Sequence, residues 1–105
     1  MTTTLYDRGG VCLTADDQVL RVSGAPDFDD AASLAAAGRK WIDGREGELV
    51  LDASGIESVS SAMLSVLLEW IRDASRHELR INAITLSPGL RGLVELAELE
   101  DIFPA

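Results

Sequence analysis

The sequence predicts an α/β domain in which a small mixed β-sheet packs with about three helices. Two observations favour this class. Short β-prone runs alternate apolar with polar residues, and the segments between them repeat apolar residues at helical spacing. The predicted order is β-β-α-β-α-β-α, whose long crossovers suit parallel strand pairs. With 105 residues, 47% of them hydrophobic, the chain can bury one core, so we expect residues 1–105 to form a single domain.

The first half of the chain predicts a hairpin and then a helix. We expect the first four residues to be frayed. Residues 11–13 and 19–22 are β-prone runs around a polar turn region at 15–18. Asp27 or Asp29 can cap a helix whose apolar positions recur through about residue 43, before two glycines.

The second half predicts a βαβ unit and a final helix. A short strand at 48–52 leads through a loop at 52–59 into the best-defined helix, which spans 60–77. Its predicted core face carries Leu64, Leu67, Leu68, Ile71 and Ala74. A strand at 79–86 follows. Ser87 and Pro88 then open the last helix, and we expect its inner face and the C-terminus to pack on the core through Leu90, Leu93, Val94, Ala97, Leu99, Ile102 and Phe103.

Charge and composition exclude several classes of function. The chain contains nine Lys and Arg residues and 18 Asp and Glu residues, which gives a formal net charge of −9. Because this charge repels a phosphate backbone, we expect no nucleic-acid partner. No apolar run approaches the roughly 18 to 20 residues that cross a bilayer, and no leader pattern precedes the first polar stretch. We therefore expect a cytoplasmic protein without direct membrane insertion.

The motifs that an enzyme needs are missing from the sequence. It contains neither of the two common glycine-rich nucleotide loops, so we expect no nucleotide cofactor and no catalysis. Cys12 is expected to be a strand residue and His77 a helix-end residue, which leaves no metal site. Ser61 lies roughly 24 Å from His77 along one helix, so the two cannot form a nucleophile–base pair.

Ser60 and Ser61 lie where the chain enters the central helix. One of them can cap the free N–H groups of this helix. The same N–H groups could donate hydrogen bonds to a phosphate carried by a serine. Met63, Val66 and Trp70 form a second apolar stripe on this helix. Either a neighbouring helix covers this stripe, or part of it is exposed beside Ser61 as the apolar centre of a docking surface.

Residues 52–71, DASGIESVSSAMLSVLLEWI, resemble the signature of STAS domains, the fold of sulfate transporters and anti-sigma-factor antagonists. Residues 67–104 resemble the small STAS subunit of Mla-type phospholipid-transporting ABC systems, including the ending LEDIFP. Asp52 and Ser54 fall on matching positions of the loop entry, and Ser61 falls on the residue that anti-sigma antagonists phosphorylate. Ser60 stands where the family pattern usually has an acidic residue.

The resemblance implies a non-catalytic protein that works by docking on a partner. The leading hypothesis is a cytoplasmic subunit that binds the ATPase of a phospholipid-transporting ABC complex, peripheral to the inner membrane through this partner, and supports its assembly or activity. The alternative is an anti-sigma-factor antagonist, bound by an anti-sigma-factor kinase and regulated by phosphorylation of Ser61. The residues expected at the docking surface are Asp52, Ser54, Ser60, Ser61, Met63 and Trp70.

Overall fold

A computed structural model describes residues 2–58 and 60–103 of the chain. Its sheet has five strands, whose spatial order equals their chain order: β1 Thr2–Arg8, β2 Val11–Asp16, β3 Val19–Gly24, β4 Glu48–Ile56 and β5 Arg80–Leu86. β1, β2 and β3 are antiparallel neighbours, and β3, β4 and β5 are parallel neighbours. The predicted mixed sheet is therefore confirmed.

Three helices complete the domain, and each begins at a polar residue that the sequence marks. They are α1 Phe28–Asp43, α2 Ser61–Arg76 and α3 Pro88–Leu96. Asp27 caps α1 in a capping box with Asp30, Ser60 caps α2, and Ser87 caps α3 ahead of Pro88. α1 connects β3 to β4 and α2 connects β4 to β5, as parallel pairs require.

The helices cover one face of the sheet and leave the other open. Along β2, Val11, Leu13 and Ala15 are buried while the positions between them are only half-buried. β3 and β4 show the same alternation, which places every second side chain on the open face. Cys12 is such a residue, a half-buried free thiol in β2.

Three predictions about strands are wrong. The expected fraying of the first four residues fails for residues 2–4, because they belong to β1, a strand that the predicted order lacks, and pair with Asp16, Ala15 and Thr14 of β2; residue 1 lies outside the described residues. Residues 15 and 16 do not belong to the turn, because β2 continues through Asp16. Residues 52–56 are not a loop, because β4 continues through Ile56 and pairs with β3 up to Gly24. In each segment the backbone hydrogen bonds of a neighbouring strand override a weakly β-prone sequence.

The C-terminal segment packs on the core less completely than the sequence predicts. Phe103 is buried and Leu99 is partly buried, as expected. Ile102 is 44% exposed, and Ala97 is exposed because it caps the C-terminus of α3 beyond its last helical turn. Among residues 97–103, Phe103 alone therefore inserts fully among the core residues.

Candidate functional site

Asp52 lies on the open face of the sheet, since its neighbours Leu51 and Ala53 point into the core. Its carboxylate accepts hydrogen bonds from the Ser54 hydroxyl at 2.6 Å and the Ser54 backbone N–H at 3.0 Å. Arg21 of β3 adds an ion pair at 3.0 Å. Partial burial raises the pKa of Asp52, but the bonds from Ser54 and Arg21 outweigh it and hold the pKa below its ordinary value.

Ser60 and Ser61 have different roles at the start of α2. The Ser60 hydroxyl accepts hydrogen bonds from the backbone N–H groups of Ala62 at 3.1 Å and Met63 at 3.4 Å, so Ser60 is the cap. Ser61 is exposed, and its hydroxyl takes part in no hydrogen bond within the described residues. The side chain of Ser61 can therefore change without loss of the cap.

Four of the six predicted docking residues fall into two groups rather than one cluster, and the other two, Met63 and Trp70, lie in the core. Asp52 and Ser54 bond to each other and to Arg21 on the open face of the sheet. Ser60 and Ser61 lie at the N-terminus of α2, on the helical layer. Among residues 2–58 and 60–103, no side-chain hydrogen bond joins the two groups.

An apolar groove lies beside Ser61, between the N-terminal halves of α1 and α2. Its volume is about 310 Å³. Small side chains form most of its lining, and the Phe28 side chain at the start of α1 is 85% exposed. We call this the α1–α2 groove, and it is lined by Phe28, Ala31, Ala32, Ala35, Ser61, Ala62, Ser65, Val66 and Glu69.

Met63 and Trp70 are buried, each with 1% of its surface exposed, so of the two alternatives for the second apolar stripe the structure supports coverage by a neighbouring helix, and neither side chain is available at the surface as its predicted docking role requires. α1 covers the stripe. The Trp70 indole occupies the space left by Gly38, where an added Cβ would lie only 2.1 Å from Nε1, and Nε1 donates to the Ala35 carbonyl at 3.4 Å. Leu68 and Ile71, expected in the core, are only half-buried because this interface rotates α2 toward α1.

Charged residues hold the opposite, C-terminal end of the α1–α2 pair. The side chain of Asp73 on α2 is 3% exposed and lies 3.0 Å from the Arg76 guanidinium and 3.7 Å from Nε of Arg39 on α1. Asp73 Oδ2 has no hydrogen-bond partner among the described residues. His77 Nε2 lies 2.7 Å from a carboxylate oxygen of Asp43, which joins the ends of the two helices.

The N-terminus of α1 is tied to β1 through Asp30, which is buried. The Tyr6 hydroxyl donates to the Asp30 carboxylate at 2.6 Å, and Arg8 lies 3.8 Å away. The hydrogen bond from Tyr6, followed by the backbone N–H of Asp27, lowers the pKa of Asp30. The same bond to Asp30 raises the pKa of Tyr6. This contact fixes the helix end that carries Phe28.

Other kinds of site find little support in the described part of the chain. It has no group of three or more His, Cys, Asp or Glu side chains arranged to hold a metal ion. Among the same residues, no helix is long and apolar enough to span a bilayer. The groove beside Ser61 is an exposed apolar surface, and its chemistry suits contact with another apolar surface.

Comparison with protein families identifies the class. Residues 10–104 match the model of a family described as "Mlab, STAS domain". The chain therefore belongs to this family of STAS domains, which are generally regulatory and non-catalytic. A search of curated proteins found no significant match.

The sequence analysis missed the side of the groove that α1 contributes. Phe28, Ala32 and Ala35 were not predicted as site residues, because small residues in a helix usually indicate close packing. One signal was present in the sequence. The run AASLAAAG, residues 31–38, begins three residues after a Phe at the first helical position, where a large apolar residue is poorly placed to reach the core.

Proposed function

We propose that this STAS domain is a non-catalytic subunit that docks on the ATPase of a phospholipid-transporting ABC complex and supports its assembly or activity. Its place would be the cytoplasmic side of the inner membrane, held there by the ATPase. The observation that carries the proposal is the exposed Ser61 beside the α1–α2 groove, on a helix whose cap is the separate residue Ser60. The family match, with its description naming Mlab, supports the same proposal.

The chemistry of the groove suits docking better than catalysis. Four of its nine lining residues are alanine and two are serine, with Phe28 and Val66 as larger apolar groups and Glu69 as its charged group. When a partner covers such a surface and removes it from water, the free energy of the complex is lowered. Ser61 at its border would lie between the two proteins, where a large side chain would hold them apart.

Co-purification tests the proposal directly. The tagged chain and the ATPase subunit encoded by the same organism would be expressed together, and the complex would be isolated through the tag. We expect the wild-type chain to retain the ATPase and Ser61→Arg to lose it. Ser65→Arg, one turn further along the groove, is the matched variant that measures how far the interface extends. Failure of the wild-type chain to bind the ATPase would contradict the proposal.

One observation favours the alternative, an anti-sigma-factor antagonist regulated through Ser61. The Ser61 hydroxyl is exposed at a helix N-terminus, where backbone N–H groups and the helix dipole stabilise a phosphate. Incubation with an anti-sigma-factor kinase and ATP, followed by mass spectrometry, separates the two functions. A phosphate on Ser61 that abolishes binding to the anti-sigma factor would support the alternative, and an unmodified chain would contradict it.

A further inference from the structure

We propose that the α1–α2 groove receives an apolar side chain from a positively charged helix of a partner protein. This inference rests on the docking function proposed above and adds the chemistry of the partner segment. It begins with Phe28, whose side chain is 85% exposed although it stands beside an apolar groove. Phe28 and the alanines together offer a surface that one inserted apolar side chain would cover.

The charges around the groove select a cationic partner. Residues 22–38 and 53–71, which include both groove-lining segments, contain no Lys or Arg but five acidic residues: Asp27, Asp29, Asp30, Glu57 and Glu69. Arg8 and Tyr6 hold Asp30, and Arg72 pairs with Glu69. Asp29 and Glu57 form no ion pair within the described residues. The negative charge that remains attracts Lys and Arg side chains.

The shape of the groove indicates a helix as the partner segment. It runs between two helices, and its alanine lining allows another backbone to approach closely. About 310 Å³ lies at the small end of binding pockets, enough for one or two side chains. The net charge of −9 disfavours a second copy of this chain, and an anionic membrane surface would be repelled by the same carboxylates.

Two substitutions alter the lining of the groove and a third alters the charge next to Phe28, all three at exposed positions. Phe28→Ala removes the exposed ring, Ala32→Phe fills the groove from an exposed position of α1, and Asp29→Lys reverses one unpaired charge. Leu96→Ala is the matched control, because Leu96 is 84% exposed on α3 and does not line the groove. Circular dichroism and chemical denaturation would establish that all four variants remain folded.

The first measurement is the affinity of each variant for the ATPase by calorimetry at two salt concentrations. Phe28→Ala and Ala32→Phe should each weaken binding at least about tenfold, as interface centres do. Asp29→Lys should weaken it severalfold and reduce its dependence on salt. Leu96→Ala should stay within about twofold of wild type. If wild type binds the ATPase and the groove variants bind equally well, the groove proposal fails while the proposed function stands.

The second measurement does not depend on the ATPase. The ¹⁵N-labelled chain would be titrated with a synthetic amphipathic helix of Leu and Lys, and separately with its Leu and Glu counterpart. We expect the Leu–Lys peptide to shift the amide signals of the groove residues and Ala32→Phe to weaken this binding about tenfold. The Leu–Glu peptide should leave these signals unchanged.

The outcomes of the two measurements separate the two proposals. Specific peptide binding in the groove, without ATPase binding, would support the groove and contradict the ABC subunit function. The groove proposal would be overturned if the peptide shifted amide signals over the whole surface of the labelled chain. It would also be overturned if Ala32→Phe left the peptide-induced signal changes in the groove as they are in the wild type. Concentration-dependent dimers that Phe28→Ala dissolves would also overturn it, because the occupant would then be a second copy of the chain. Binding of anionic vesicles that requires Phe28 would overturn it in favour of a membrane.

Discussion

The two ends of the α1–α2 pair differ in what lies between the helices. At the groove end, which carries Phe28 and Ser61, alanines line an open space of about 310 Å³. At the other end, which we call the clamp end, Trp70 fills the space against Gly38 and Asp73 joins charged residues of both helices. The same helix pair is thus open at one end and tightly packed at the other.

This difference shows how a small domain can keep an apolar surface available without losing its fold. The exposed surface of an open groove contributes no burial free energy to the stability of the free protein. Other contacts must therefore fix the angle between the two helices. The clamp end provides these contacts, and the bond from Tyr6 to Asp30 holds the start of α1. Stability and binding are therefore expected to depend on different residues.

Removal of the indole at the clamp end should have the largest effect on stability. Trp70→Ala leaves a cavity between α1 and α2 and should lower the free energy of unfolding by about 3 kcal/mol or more. Urea denaturation monitored by circular dichroism measures this loss. Because Gly38 touches the indole, Gly38→Ala alone should also destabilise by about 1 to 3 kcal/mol.

The double variant Gly38→Ala/Trp70→Ala supplies the control for this contact. The methyl group at position 38 would lie in space that the indole no longer occupies, so the double variant should be less destabilised than the two single losses added together. Strict additivity would show that Gly38 and Trp70 do not act as one packing unit.

The next effect concerns Asp73, whose buried carboxylate depends on its arginine partners. Arg76→Ala removes the bond at 3.0 Å and should lower the free energy of unfolding by about 1 to 2 kcal/mol. Asp73→Asn should lower the free energy of unfolding by less than Arg76→Ala does, because it removes the buried charge itself. Both arginines are exposed, so water can solvate them when the carboxylate is gone. Thermal or urea denaturation of both variants tests this order, and a larger loss from Asp73→Asn would contradict it.

The smallest effect appears in acid and concerns the groove end. Asp30 has a lowered pKa in the folded chain, so the unfolded chain binds the proton first as the pH falls. The stabilisation is complete above about pH 4, near the ordinary pKa of Asp, and is lost as the pH falls through the folded pKa. Tyr6→Phe removes the main cause of the shift and should flatten the decline in stability below pH 4. Urea denaturation at several pH values measures this decline. If the free energy of unfolding of Tyr6→Phe fell with pH as steeply as that of the wild type, the assignment would be contradicted.

Local signals in the sequence sufficed for most of the fold. Asp27, Ser60 and Ser87 can be recognised as helix caps because capping depends on neighbouring residues only. β1 was missed because its residues are polar and its pairing with β2 is irregular around Leu5. Its existence depends on an adjacent strand, which no local pattern of TTTLYDR reveals.

The candidate site could be predicted only in part. Ser61 was found because it lies at the predicted start of the central helix and because the signature of the family marks the same position. The groove was not predicted, because it forms only where α1 meets α2, and because the packing of Trp70 against Gly38 and Ala35 of α1 depends on residues far away in the sequence. The apolar periodicity of α2 alone therefore predicted Leu68 and Ile71 to be more buried than they are, and it left open the exposure of Trp70, which is buried.

The most direct test of separate roles for the two ends measures ATPase affinity and the free energy of unfolding in the same two variants. Ser61→Arg at the groove end should change stability by no more than about 1 kcal/mol and weaken ATPase binding at least about tenfold. Arg76→Ala at the clamp end should lose stability but keep ATPase affinity within about twofold. Wild-type affinity in Ser61→Arg, or an equal loss of affinity in both variants, would contradict the account.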